Sequence, residues 1–193
     1  MAIQETAKSR LSRPLHKDMR DFQTHIDEAP QGTIYCDMDG VLVDIIGGMT
    51  SLAGIHRLAP DQFETWLEKN KKKFDAEHPN LFAHLPWMTD GKRLWAYITR
   101  YGAHILSAHT KSWQPTSKPD KMAWIKANMS PIPQNIHLVL RKDKQKYAKL
   151  NGIPNILIDD YPPNIKEWNA AGGIGILHTS AEDTIQRLKK LGY

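Results

Sequence analysis

The 193-residue chain has one cysteine, Cys36. A lone thiol excludes an intramolecular disulfide framework, a cysteine zinc ribbon and a redox pair, and its place inside an apolar run reads as a core position. No apolar stretch approaches the roughly 20 residues that a membrane-spanning helix needs. The N-terminus has no basic segment running into a hydrophobic one, and its acidic residues argue against a mitochondrial transit peptide. Internal repeats and low-complexity tracts are also missing. These absences set the expectation of a soluble, cytoplasmic protein with no membrane partner.

The composition is that of a folding chain. It is 40% hydrophobic and 24% charged with six tryptophans, which excludes general disorder, and its length fits one domain with a small insertion. A net charge of +5 suits a phosphorylated ligand or polyanion, but it also suits an ordinary surface.

The most informative stretch runs from Ile34 to Asp44. An apolar strand ends in Asp37 and Asp39, one residue apart, followed by Gly40. Read alone, this is either a turn that stops the strand or a site. The remaining chain alternates strands with helices. Residues 1–30 are read as an N-terminal extension, 31–44 and 89–193 as the core, and 45–88 as an inserted helical segment. In that insertion Gly47 and Gly48 break the pattern, and a helix starts at Pro60 with Phe63, Trp66, Leu67 and Phe74 at helical spacing. Its aromatics read mainly as core.

Beyond the insertion, a helix from Thr89 to Gly102 leads to a strand at 103–107 that ends in Ser107. Ser117 and Asp120 resemble a capping box before a helix bearing Met122, Trp124 and Ile125. A strand at 136–140 is followed by Arg141, Lys142, Lys144 and Lys146. A short helix is predicted through Leu150, and a strand at 156–158 ends in Asp159 and Asp160. A strand at 174–177 and a helix capped near Ser180 close the chain.

Strands separated by helices of this length imply an α/β doubly wound parallel sheet with right-handed crossovers. Like ends of its strands share one edge, so Asp37, Asp39, Ser107, Lys144 and Asp159/Asp160 converge in one crevice. Several carboxylates there need protons or a cation. Oxygen ligands without histidine or cysteine favour magnesium. With Lys144 and Ser107 alongside, the crevice suits a phosphoryl group. Asp37 fits a nucleophile and Asp39 a general acid and base.

Asp37-Met38-Asp39-Gly40-Val41-Leu42-Val43-Asp44 resembles the first signature of the haloacid dehalogenase (HAD) superfamily of phosphohydrolases, and Ser107, Lys144 and Asp159-Asp160 match the other three in order. The resemblance implies a Rossmann-like three-layer fold, strand order 5-4-1-2-3, with a small helical cap after the first strand. By carry-over, Asp37 is the nucleophile and a Mg2+ ligand, and Asp39 is the acid/base and a ligand through its main-chain carbonyl. Ser107 and Lys144, or Lys146 in its place, bind phosphate. Asp159 and Asp160 hold the metal, Asp160 directly. Asn164 stands where some members have another acid.

The 45–88 insertion and the 155–160 run are similar to the 5'(3')-deoxyribonucleotidase branch, which implies a nucleoside monophosphate substrate. Ala108, His109 and Lys111 are candidate substrate contacts, and Trp113 lies beside them. The alternatives left open are a polynucleotide 3'-phosphatase, a phosphatase of another small metabolite, and a catalytically idle phosphate-binding protein. The sequence gives no oligomeric state.

Overall fold

The structure is a computed structural model that describes residues 32–110 and 114–193. The N-terminal extension, Lys111 and Trp113 lie outside the described residues. Five parallel strands form the main sheet: β1 (Ile34–Cys36), β2 (His104–Ala108), β3 (Ile136–Val139), β6 (Ile156–Asp159) and β7 (Ile174–Leu177), in the order β3-β2-β1-β6-β7. β1 is central, and its residues Ile34, Tyr35 and Cys36 are all buried. Side chains alternate between faces along each strand. Ile34, Cys36, Ile156 and Ile158 enter one core with α3 (Gly91–Ile98), α4 (Ser117–Asn128) and α6 (Ala181–Lys190). Tyr35, Leu106 and Leu157 enter the other with Trp168 of α5 (Pro162–Ala170).

The order of the strands explains where the site lies. From β1 the chain steps outward to β2 and β3, returns to β6 on the other side of β1, and continues to β7. β1 and β6 are therefore neighbours at the point where the winding reverses, with Cys36 opposite Ile158. Asp37 extends this pairing by donating its backbone N–H to the Ile158 carbonyl at 2.9 Å. The first carboxylate and the Asp159-Asp160 pair are thus held side by side, where ligands bind in open α/β sheets.

The insertion contains α1 (Ile45–Leu52), α2 (Pro60–Glu77) and a short helical turn, Leu81–Ala83. The glycines read as breaking the pattern lie inside α1. Asp44 caps that helix by accepting from the Gly47 N–H at 2.9 Å. Gly48 is a packing requirement, because a Cβ there would sit 2.6 Å from Leu85 and 2.8 Å from Pro86.

Two other expectations change. Arg141–Tyr147 forms a tight helical segment that stops before Leu150, and β4 (Lys149–Leu150) pairs with β5 (Ile153–Pro154) as a hairpin. Asn151 and Gly152 both have positive φ, 51° and 83°, the requirement of a two-residue hairpin turn. Ser117 is not the cap of α4; that residue is Thr116. The Ser117 hydroxyl instead accepts from the Thr110 N–H at 3.0 Å. No helix among the described residues is long and apolar enough to cross a membrane.

Candidate active site

Lys144 is the bridge between the first and last acidic strand ends. Its ammonium is 2.8 Å from Asp37 Oδ2 and 2.7 Å from Asp159 Oδ2, and all three residues are buried. A buried ammonium between two buried carboxylates is tolerable because each charge has a partner. Burial alone would pull the Lys144 pKa down, but the charges of Asp37 and Asp159 outweigh it and push it up. Lys146 lies elsewhere: its side chain is exposed and paired with Asp143 at 2.7 Å.

Asp159 is the most fully bonded of the acids. Besides Lys144, it accepts from the Tyr161 N–H at 2.9 Å and from the Asn164 amide at 3.0 and 2.9 Å. Asn164 is itself held by Arg141 Nη1 at 3.1 Å. Burial and the charge of Asp37 still push the Asp159 carboxyl up to about 6, against the pull of Lys144.

Asp160 is exposed as a residue, but its carboxylate is tucked against Gly40. A Cβ at Gly40 would lie 1.9 Å from Asp160 Oδ2, and Gly40 has φ 72°. Both facts account for glycine after the paired aspartates. Burial of the carboxyl, with Asp37 and Asp159 close by, pushes it up to about 7.

A second lysine, not anticipated from the sequence, completes the arrangement. Lys121 on α4 reaches Asp39 Oδ2 at 2.6 Å and donates to Ser107 Oγ at 2.9 Å. It is almost wholly buried, with its ammonium 5.0 Å from the centre of the Phe82 ring, within cation–π range. Its signal in the sequence was a cation on an apolar helical stripe: Ser117, Asp120, Lys121, Trp124 and Ile125 are the buried face of α4.

The two acids of the first signature are driven apart electrostatically. Burial pushes the Asp37 carboxyl up, but Lys144 and Lys121, with hydrogen bonds from Lys144 and Ser107, outweigh burial and hold it below the ordinary carboxylate range. For Asp39 burial wins over Lys121 and pushes the carboxyl up. Asp39 Oδ2 is bound by Lys121, whereas the buried Oδ1 has no hydrogen-bond partner among the described residues.

Ligand atoms of Asp37, Asp159 and Asp160 all lie within 4.8 Å of one another. With Asp39, four carboxylates face two ammonium groups, a formal excess that one divalent cation balances. The all-oxygen donor set fits a hard ion such as magnesium. Of the remaining sequence candidates, Ala108 ends β2 opposite Val139, and His109 donates its N–H to the Val139 carbonyl, with its ring Nδ1 3.3 Å from the Thr110 carbonyl.

The family model described as 5' nucleotidase, deoxy (pyrimidine), cytosolic type C protein (NT5C) matches residues 31–187. The chain belongs to the NT5C family. It is a phosphohydrolase of the haloacid dehalogenase type. Among solved structures, a hydrolase from Streptococcus pneumoniae TIGR4 is 15% identical to this NT5C-family chain, with 82% of this chain and 98% of that one covered and a TM-score of 0.53. The L-2-haloacid dehalogenase from Xanthobacter autotrophicus is 11% identical, with 82% of each chain covered and a TM-score of 0.50. At these identities the likeness concerns the fold. No curated protein matches the chain.

Proposed function

We propose that this NT5C-family member is a magnesium-dependent phosphatase of nucleoside monophosphates, of the 5'(3')-deoxyribonucleotidase type, working through an aspartyl-phosphate. The observation that carries the reading is the opposed state of two carboxylates two residues apart. Asp37 Oδ2 lies 2.8 Å from the Lys144 ammonium, which with Lys121 outweighs burial and lowers its carboxyl pKa. Asp39 is bound by Lys121 through Oδ2 alone, its buried Oδ1 is unengaged among the described residues, and burial raises its carboxyl pKa. Environments that separate a pair in this way assign the acid and the nucleophile.

In the first step Asp37 attacks phosphorus, and the bond from phosphorus to the ester oxygen breaks. Asp39 gives its proton to the leaving oxygen, and the free nucleoside departs. In the second step Asp39, now a carboxylate, takes a proton from water as the water oxygen attacks phosphorus; inorganic phosphate leaves and Asp37 is regenerated. Lys144 and Ser107 bind the phosphoryl oxygens. Lys121 fixes Asp39 by one oxygen and aims Ser107.

Asp37, Asp159, Asp160 and the Asp39 main-chain carbonyl would hold magnesium, which when bound supplies charge neutralisation at the phosphoryl group. The fourfold-bonded Asp159 orients the cluster, and Asp160 is the direct ligand. Segment 45–88 acts as the cap over the leaving group. Its position over Lys121 through Phe82 supports this.

The test is a panel of deoxynucleoside and ribonucleoside 5'- and 3'-monophosphates, sugar phosphates and a 3'-phosphorylated oligonucleotide, each with magnesium and with chelator. Magnesium-dependent preference for a mononucleotide is expected. Uniformly poor turnover of the panel, or unchanged rates in chelator, overturns the reading.

A further inference from the structure

The loop after β2 is tied to two different parts of the molecule through one residue, Gln114. Its carbonyl belongs to the core. The Gln114 carbonyl accepts from the Ser117 N–H at 2.8 Å, the turn that starts α4, and α4 carries Lys121 to Asp39 and Ser107. Its side chain belongs to the inserted segment. The Gln114 amide donates to Asp75 Oδ1 at 3.0 Å and to the His78 carbonyl at 3.2 Å, and its backbone N–H points to Asp75 Oδ2 at 3.4 Å. Asp75 lies in the last turn of α2, and His78 caps that helix.

Gln114 is 2% exposed and has φ 48°. A non-glycine side chain in the left-handed region persists only where the surroundings fix it, and here they fix it from both sides. A longer hydrophobic contact would also join the two parts, but a buried primary amide is selective. Its two donors need acceptors at set positions, and the last turn of α2 presents them.

We infer that Gln114 is a positioning residue for substrate selection, the latch that registers α2 against the turn leading into the Lys121 helix. The inference rests on the reading of 45–88 as a cap over the leaving group. The latch acts on how the leaving group is held and not on the attack at phosphorus, because Gln114 reaches neither Asp37 nor Asp39.

The experiment compares the full-length parent with Gln114→Gly, which keeps the positive φ and deletes the amide, and with Gln114→Asn, which tolerates the same backbone and retains a shorter amide. Hydrogen exchange is measured without substrate. Steady-state kinetics use the best mononucleotide of the panel and p-nitrophenyl phosphate, whose activated leaving group makes little demand on a cap. In Gln114→Gly, the C-terminal turn of α2 is expected to exchange faster while β1 is unchanged. KM for the mononucleotide is expected to rise about tenfold, the scale of two lost hydrogen bonds, with kcat and p-nitrophenyl phosphate turnover within about twofold. Gln114→Asn falls between.

Unchanged exchange in α2, or equal losses toward both substrates, overturns the latch. A parent that hydrolyses p-nitrophenyl phosphate without preferring any nucleotide instead overturns the nucleotidase reading, and the exchange measurement still decides the latch.

Discussion

At the strand ends, Asp37, Ser107, Lys144 and Asp159 are each buried, and every charge among them is met by another within hydrogen-bond distance. In α2, only Phe63 and Phe74 of eighteen residues are buried. The crevice is tightly over-determined: Lys144, Tyr161 and Asn164 all act on Asp159. The insertion sends Met49, Leu81, Phe82 and Leu85 with those two phenylalanines into the main core, and its hydrogen-bonded ties to α4 and the turn before it include the Trp124 indole donating to the Leu85 carbonyl at 2.7 Å and the Gln114 amide. A site that must stabilise developing charge gains from fixed dipoles. An element that must admit a substrate and release a product draws on the less stable part of a fold. Under the proposed function, the contrast separates where the chemistry is done from where the substrate is chosen.

Substitutions in the crevice should have the largest effects. Asp37→Asn is expected to lower kcat by at least about a thousandfold, because the proposed nucleophile is lost while the shape is kept; steady-state assay with magnesium measures this. Lys144→Ala leaves two buried carboxylates without their cation and should cost about 3–5 kcal/mol of stability, seen in denaturant unfolding, as well as activity. Lys146→Ala should change neither, and equal effects of the two would break the distinction between them. Lys121→Met, which keeps the length and deletes the charge, should reduce kcat by about a hundredfold, the scale of a misplaced general acid, with KM changed little.

At the boundary between the regions, Trp124→Phe keeps an aromatic ring but removes the donor to the Leu85 carbonyl and part of the buried indole's packing. It should cost about 1–3 kcal/mol, and if the insertion is the separable part, amides near Leu85 should exchange faster than those of β1. The smallest effect is expected deep in the insertion. Trp66→Ala should leave p-nitrophenyl phosphate turnover within about twofold, and a loss as large as that of Lys121→Met would erase the contrast.

The same division governs what was legible in the sequence. The crevice was readable because strand ends are marked locally: apolar runs stopping at Asp37, Ser107 and Asp159, with Gly40 where Asp160 must approach. Alternation of strands and helices then placed these ends on one edge. Lys121 was missed because its partners are 14 and 82 residues away and a cation on a helical stripe does not by itself say what it meets. α1 was missed because Gly47 and Gly48 weigh against a helix locally, whereas the close approach of Leu85 and Pro86 demands glycine at 48. Asn151-Gly152 reads locally as a helix stop after Leu150 because helix stops and tight hairpins both use positive φ. Gln114 carries no local signature, since its role depends on Asp75 and His78 from another element.

In the proposed reaction Asp37 carries the phosphoryl group. Rapid acid quenching of the enzyme during turnover of its best substrate with magnesium, followed by peptide mapping, tests this directly. A phosphoryl group on the peptide spanning β1, assigned to Asp37 and missing in Asp37→Asn, is the predicted result. Full turnover with no phosphorylated peptide at any quench time, together with an Asp37→Asn enzyme as fast as the parent, would contradict it.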